Sequence, residues 1–217
     1  NIIKNEQDYS LTIGSPDSLN TYVLAPLFKS FAESKLSSSF IIKTHQSNEI
    51  HSLLQNHDID IGFVFYPLNY KNILSRPIFK EKMFIICKKS GYYKKYKLHP
   101  HDLNPKHEIL LEWSYDIKYW HNTWWDSNIN PYVHVDTPTL IINFLDNDQL
   151  WAMCPESIVQ SLISNNNIEI HEFTELPPER ICYIIEHRYP NPSNVQAIKM
   201  FKKQLDEFGS NLKWYLK

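Results

Sequence analysis

The feature that most constrains the fold is an alternation of short apolar runs with segments whose apolar residues recur at helical spacing. Runs at 11–14, 40–42 and 59–65 predict buried strands, and the two segments between them predict helices. A strand–helix–strand–helix–strand order needs crossover connections, so the three strands are expected to be parallel. The first third of the chain therefore predicts an α/β sheet.

Three positions indicate how these helices begin. Pro26 lies inside the first helical segment. Because proline cannot donate a backbone hydrogen bond, we expect either a separate first turn before the main helix or a kink. Ser18 and Ser47 stand near the starts of the two helices and are candidates for N-caps.

A second alternating series occupies the rest of the chain. A run at 78–87 predicts a strand long enough to pass from one lobe to another, and the Lys-, Tyr-, His- and Pro-rich segment 90–105 predicts a surface connection. Further strands are predicted at 109–113, 132–135, 150–154, 168–171 and 181–186. Helices are predicted at 115–125, 139–145, 156–163 and 195–208.

Two such halves predict two Rossmann-like lobes joined by two crossover strands. We assign residues 1–85 with 190–217 to lobe I and 86–189 to lobe II. Ligands of open α/β sheets bind beyond the carboxyl ends of the strands. The sequence therefore predicts a ligand cleft between the lobes that closes by a hinge motion.

Composition limits the partners and the compartment. The 217 residues carry 22 basic and 24 acidic side chains, for a net charge of −2, which argues against a nucleic-acid-binding surface on this segment. Cys87, Cys154 and Cys182 lie in apolar stretches without disulfide or zinc spacing, which predicts buried reduced thiols. With no signal peptide and no apolar run of about 20 residues, a cytoplasmic location is expected.

Several segments, in the same order, resemble the effector-binding domain of LysR-type transcriptional regulators. They are LTIGSPDSLNTYVLAP at 11–26, QSNEIHSLLQNHDIDIGFVF at 46–65, RPIFKEKMFIIC at 76–87 and VHVDTPTLIINFLDNDQLWAMCP at 133–155. The chain departs from the family pattern at Asn20, where a glycine is usual, and at 147–149, where a Gly-rich turn is usual. Asparagine tolerates left-handed backbone, so these changes are compatible with the fold.

The resemblance implies a type II periplasmic-binding-protein-like fold that senses a small molecule. It also implies a winged helix-turn-helix and a dimerising linker helix, which are absent from this chain; residues 1–10 look like the tail of that linker. DNA would be bound only through that N-terminal domain, and a homodimer or homotetramer is expected. A Trp-His pair at 120–121 followed by Trp124 and Trp125 is similar to a Gram-positive subgroup of citrate-responsive catabolite-control regulators.

An anion site is predicted where two strand ends lead into helices. Ser15 and Ser18 belong to the first loop, and Gln46 and Ser47 to the second. Free N–H groups and the dipole of a helix start favour negative charge, and in the family these loops commonly hold an effector carboxylate. The alternative is ordinary capping by the serines. His45 could add charge.

Most of the other candidate residues have a structural alternative. Phe65 ends a strand and should face the cleft, whereas Trp113 either walls the effector pocket or fills a core. Asp136 and Thr137 either cap a helix or line the cleft. Arg188, at the expected return between the lobes, either grips a carboxylate or forms a surface pair.

No nucleophile elbow, phosphate loop or paired catalytic carboxylates occur, so no enzyme activity and no cofactor are predicted. His99 and His101 lie in a loop without a ligand set and are expected to be exposed rather than metal-binding. The leading interpretation is a regulatory sensor domain for an anionic metabolite such as a citrate-like carboxylate. The alternative is a free-standing type II solute-binding protein of a transporter.

Overall fold

The computed structural model describes residues 9–34 and 39–216; most of the segment 1–10, interpreted above as a linker tail, lies outside them. The chain forms two compact units. The first combines residues up to Phe79 with those from Cys182 onward, and the second is Lys80–Ile181. The predicted divisions, after 85 and after 189, lie farther along the chain, because β5 pairs inside the second unit and β11 inside the first.

The strands, in chain order, are β1 (Ser10–Ser15), β2 (Ser39–Thr44), β3 (Ile61–Val64), β4 (Ile73–Glu81), β5 (Met83–Lys88), β6 (Lys97–Leu98), β7 (Ile109–Leu110), β8 (Val133–His134), β9 (Trp151–Pro155), β10 (Ile168–Phe173) and β11 (Arg180–His187). The α-helices are α1 (Asp17–Leu19), α2 (Ala25–Glu33), α3 (Ser47–Gln55), α4 (Tyr115–Trp124), α5 (Pro138–Phe144), α6 (Glu156–Leu162) and α7 (Val195–Gly209). The predicted strand at 78–87 is therefore two strands, which are separated at Lys82.

The first unit contains a sheet of order β2-β1-β3-β11-β4. β1 pairs in parallel with both β2 and β3, as the crossover pattern predicts, whereas β11 runs antiparallel to β3. Between α1 and α2 lies one π-helical turn, Asn20–Leu24. Pro26 lies in the first turn of α2. Of the two structures expected from this proline, a separate first turn before the main helix is therefore confirmed.

Helices cover both faces of this sheet. One core cluster combines Phe31 of α2 and Phe201 of α7, whose rings lie 5.3 Å apart, with strand residues such as Phe63. On the other face Ile50 of α3 packs so closely that a Cβ at Gly62 would lie 2.7 Å from its side chain. Helices on two faces of a mixed sheet, in which β1, β2 and β3 are parallel, give the α/β architecture that the sequence predicts.

The second unit contains a sheet of order β6-β10-β5-β9 and a separate parallel pair, β7 and β8. β5 is antiparallel to both of its neighbours. The segment 90–105 is not only a surface connection, because it contributes β6 and buries Tyr93, Leu98 and Leu103. Within the described residues, no helix combines the length and apolarity needed to cross a bilayer.

Candidate functional site

The carboxyl ends of β1, β2 and β3 meet at one edge of the first unit's sheet, because these strands are parallel. Ser15 is fully buried there and lies opposite Thr44. The Ser15 hydroxyl donates to the side-chain oxygen of Asn20, whose amide nitrogen donates to Thr44 Oγ1 at 2.9 Å. The backbone N–H of His45 donates to the Ser15 carbonyl at 3.3 Å. The structure thus brings Ser15 and His45 together, and Asn20, which the sequence did not indicate as a site residue, bridges Ser15 to Thr44.

The predicted serine caps are wrong. Ser47 is the first residue of α3, whose N-cap is Gln46, and its buried hydroxyl accepts the Phe65 N–H at 3.1 Å. Ser18 lies inside α1, whose N-cap is Pro16. Pro16 and Gln46 hold the extended backbone that an N-cap position needs, so each serine is displaced into the helix. Ser47 instead ties the start of α3 to the end of β3.

Both helix starts already hold a carboxylate of the chain itself. The Glu49 carboxylate accepts the backbone N–H of Gln46 at 3.0 Å and lies 3.5 Å from His45 Nδ1. Asp17 occupies the first turn of α1. An anionic ligand at the start of α3 therefore competes with Glu49 for the same N–H group, with the His45 imidazole beside it.

Arg188 lies at the other edge of this sheet. It follows the last residues of β11, and because β11 is antiparallel to β3, Glu186 faces Ile61 at the start of β3. Phe65 follows the opposite end of β3. In this register Arg188 and Phe65 are six residues apart along the strand direction, which corresponds to about 20 Å. Arg188 is exposed, its N–H donates to the Asn72 carbonyl, and the structure does not place it with Ser15 and Ser47.

In the second unit, Trp113 is buried at the wall of a cavity of about 310 Å³. Its indole N–H donates to the Met153 carbonyl at 2.8 Å, and the Arg180 guanidinium carbon lies 5.0 Å from its ring centroid. The cavity is also lined by Glu108, Ile117, His121, Trp125 and Asn130. Its volume falls at the lower end of the range typical of small-molecule sites.

A buried carboxylate faces this cavity. The Glu108 side chain is 2% exposed and bonds to His121 Nε2 at 2.8 Å. Burial raises the pKa of Glu108. Burial also lowers the pKa of His121, but the hydrogen bond and charge of Glu108 outweigh it and leave that pKa raised. The two groups therefore titrate as a coupled pair. The sequence did not indicate this pair, because a glutamate and a histidine thirteen residues apart match no known catalytic motif.

Other tryptophans of this unit pack against neighbouring aromatic rings. Trp125 is buried, with its ring 5.3 Å from that of Trp151, and Trp120 lies 5.2 Å from Phe173. These rings therefore contribute to packing within the second unit. Within the described residues, the Trp-His pattern at 120–121 therefore contributes chiefly to packing and to the Glu108 contact.

Thr137 is the N-cap of α5 by position but makes no side-chain cap bond, and Asp136 is exposed beside it. Neither residue lines the Trp113 cavity. That these residues, Trp113 and the first unit's serines contact one ligand stays a prediction.

Comparison with known proteins places this geometry in a family. A family model described as "LysR substrate binding domain" matches residues 4–205. Among solved structures, the reduced OxyR regulatory domain from Pseudomonas aeruginosa is 17% identical, with a TM-score of 0.74 over 92% of this chain and 98% of that one. A mutant OxyR2 regulatory domain from Vibrio vulnificus is 13% identical, with a TM-score of 0.74 over 96% and 100% of the two chains. A full-length mutant OxyR from P. aeruginosa is 18% identical, with a TM-score of 0.75 over 93% and 70%. A comparison with curated protein sequences gave no match.

Proposed function

The chain belongs to the LysR substrate binding domain family, and from that premise we propose that it senses a small anionic metabolite for a LysR-type transcriptional regulator. Citrate-like carboxylates are the first candidates. Binding changes the geometry of a homodimer or homotetramer, and thereby the promoter contacts of the N-terminal winged helix-turn-helix domain that such regulators carry. The effector domain itself supplies binding and no chemistry.

One observation carries the ligand part of the proposal. Ser15, His45, Gln46 and Ser47 meet at one strand-end edge of the first unit, where two helices begin. First-turn N–H groups lack acceptors within their own helix, so they favour a ligand with negatively charged oxygens. The Glu49 carboxylate, which accepts a hydrogen bond from the Gln46 N–H, occupies the position that we propose for a carboxylate of the ligand.

A thermal-shift panel tests this proposal. Di- and tricarboxylates, neutral sugars and cationic amino acids are each added to the purified chain. A ligand present at a hundred times its dissociation constant should add about 2.7 kcal/mol to the free energy of unfolding. Carboxylates are expected to shift the melting temperature. A shift produced by neutral or cationic compounds alone would contradict the anion site.

Two variants of one helix locate the site. Gln46→Glu adds a negative charge at the N-cap of α3, and Gln55→Glu makes the same change at its last residue. Two like charges about 4 Å apart repel by roughly 1 kcal/mol in water and more near a protein surface. Gln46→Glu should therefore weaken carboxylate binding at least about fivefold, whereas Gln55→Glu should leave it unchanged. Equal affinities in the two variants would place the ligand elsewhere, and the Trp113 cavity is the next candidate.

The edge strand β2 supports the proposed homo-oligomer. Ile41 and Ile42 are 45% and 41% exposed on this terminal strand. Exposed apolar residues on an unpaired strand edge favour association with a second copy. Sedimentation velocity should show a dimer or tetramer, and Ile41→Lys should shift it towards monomer. A monomer at micromolar wild-type concentration would contradict the oligomer.

A further inference from the structure

Three metal-ligating side chains share one face of the second unit's sheet. Glu169 of β10 lies opposite Cys87 of β5 in the antiparallel register, and His171 follows two residues later on the same face. One ligand atom from each, a sulfur, a carboxylate oxygen and an imidazole nitrogen, lies within 4.8 Å of the other two. These residues lie outside the Trp113 cavity, and the sequence spacing gave no sign of the cluster.

The His171 ring is oriented as a ligand. Its Nδ1 lies 2.7 Å from the Lys95 carbonyl, which can only accept, so Nδ1 carries the proton. In the neutral ring, Nε2 then presents a lone pair. The residue is 2% exposed, and Nε2 has no hydrogen-bond partner within the described residues. Metal-binding histidines are usually fixed in this way, through a carbonyl bonded to the other ring nitrogen.

The carboxylate of Glu169 does not satisfy Nε2. The Glu169 carboxylate oxygen lies 3.8 Å away, which is beyond hydrogen-bond distance. A buried lone pair without a partner is uncommon in folded proteins and calls for an explanation. An ion that contacts both Nε2 and the carboxylate supplies one, with the Cys87 sulfur as its third ligand.

We propose that Cys87, Glu169 and His171 form a binding site for Zn²⁺. Thiolate, imidazole and carboxylate are the three ligand types that proteins offer to zinc, and three protein ligands leave the fourth tetrahedral position for water. The sulfur and nitrogen donors favour zinc over the hard cations Mg²⁺ and Ca²⁺. The Glu169 side chain, which is 34% exposed, lies on the solvent side of the cluster.

Ion binding requires the thiol to lose its proton. Burial raises the pKa of the Cys87 thiol to about 12, so the metal-free thiol is protonated at neutral pH. Zinc binding therefore releases one proton from Cys87 to solvent as the Zn–S bond forms. Calorimetric titration in buffers of different ionisation enthalpy should detect this proton.

The deciding experiment uses Co²⁺ as a spectroscopic probe of the tag-free, chelator-treated, reduced chain. A Co²⁺–thiolate bond gives a near-ultraviolet charge-transfer band that oxygen and nitrogen ligands do not give. The expected result is a saturable band at one Co²⁺ per chain that Zn²⁺ abolishes by displacement. Cys87→Ser should remove the band. His171→Asn removes a direct ligand, so it should lower the affinity by more than the roughly 10- to 100-fold that loss of an outer-shell partner costs, while its amide can still donate to the Lys95 carbonyl.

Two control variants separate this site from accidental binding. Cys154→Ser changes a buried cysteine of the adjacent strand β9. Cys154 lies opposite Phe84, which is three residues before Cys87 on β5, and an odd separation places it on the other face of the sheet. His101→Asn removes one of two imidazoles whose rings lie 5.0 Å apart. Both variants should keep the band. If Cys87→Ser unfolds the chain, the half-buried Glu169→Gln replaces it, with the same loss of affinity expected. No band in the wild type, a band that survives Cys87→Ser, or loss in either control overturns the proposal.

Discussion

Breaking the buried Arg180–Glu81 ion pair should destabilise the second unit strongly. Both side chains are 1% exposed or less, and Arg180 donates to one Glu81 oxygen from Nε at 3.2 Å and from Nη2 at 2.6 Å. The other Glu81 oxygen accepts the backbone N–H of Ser157 at the start of α6 at 2.9 Å. Arg180→Met therefore leaves a buried carboxylate without its counter-charge.

Removal of one partner from a buried pair costs about 3–5 kcal/mol, a large part of the roughly 5–15 kcal/mol that holds a domain folded. With a urea m-value of about 2 kcal/mol/M, the midpoint should fall by about 1.5–2.5 M. Tryptophan fluorescence reports on this unit, because it holds five of the six tryptophans.

An exposed ion pair between the residues that precede Glu81 and Arg180 in the chain provides the control. Lys80 Nζ lies 2.5 Å from a Glu179 oxygen, with side chains 45% and 35% exposed. Lys80→Met should cost only about 0.2–1 kcal/mol. Adding Glu81→Gln to Arg180→Met should recover stability, since it removes the unpaired charge. Equal costs for Arg180→Met and Lys80→Met, or no recovery in the double variant, would refute the buried-charge reasoning.

Three further predictions concern single contacts. Ser47→Ala removes the acceptor of the Phe65 N–H and should cost about 1–3 kcal/mol in urea unfolding; Ser47→Thr, which keeps a hydroxyl, should cost less. Gly62→Ala places a methyl group 2.7 Å from two isoleucine side chains and should cost about 1–3 kcal/mol, measurable as a lower melting temperature. The raised pKa of His121 stabilises the fold below the unfolded value of 6.5, and this stability is lost as pH rises through the higher folded pKa. The advantage of the wild type over Glu108→Gln should therefore shrink as urea titrations move from about pH 6 to about pH 9; a constant difference would contradict the coupling.

Local periodicity predicted the elements and the parallel order of β1, β2 and β3 because both follow from neighbouring residues. It could not predict what depends on distant partners. The Ser47 hydroxyl is taken by an N–H eighteen residues away rather than by its own helix. Arg188 falls at the wrong edge because the direction of β11 is fixed by pairing with β3, which no local pattern reveals.

The same limit applies to the sites of the second unit. Cys87 and Glu169 are 82 residues apart in the chain and meet only through sheet register. Glu108 and His121 meet because β7 precedes α4 by a short connection, and a lone glutamate and a lone histidine give no recognisable motif. Trp113 could be placed at a strand end, but its hydrogen bond to Met153 depends on β9.

The discontinuity of the first unit governs the order in which a nascent chain can fold. Its sheet needs β11 between β3 and β4, and its core needs Phe201 of α7. Both β11 and α7 are synthesised from residue 180 onward. The second unit is one uninterrupted stretch and can fold as soon as it leaves the ribosome. The strands β1, β2 and β3 are synthesised before the second unit, but they cannot complete their sheet and core until β11 and α7 have been made.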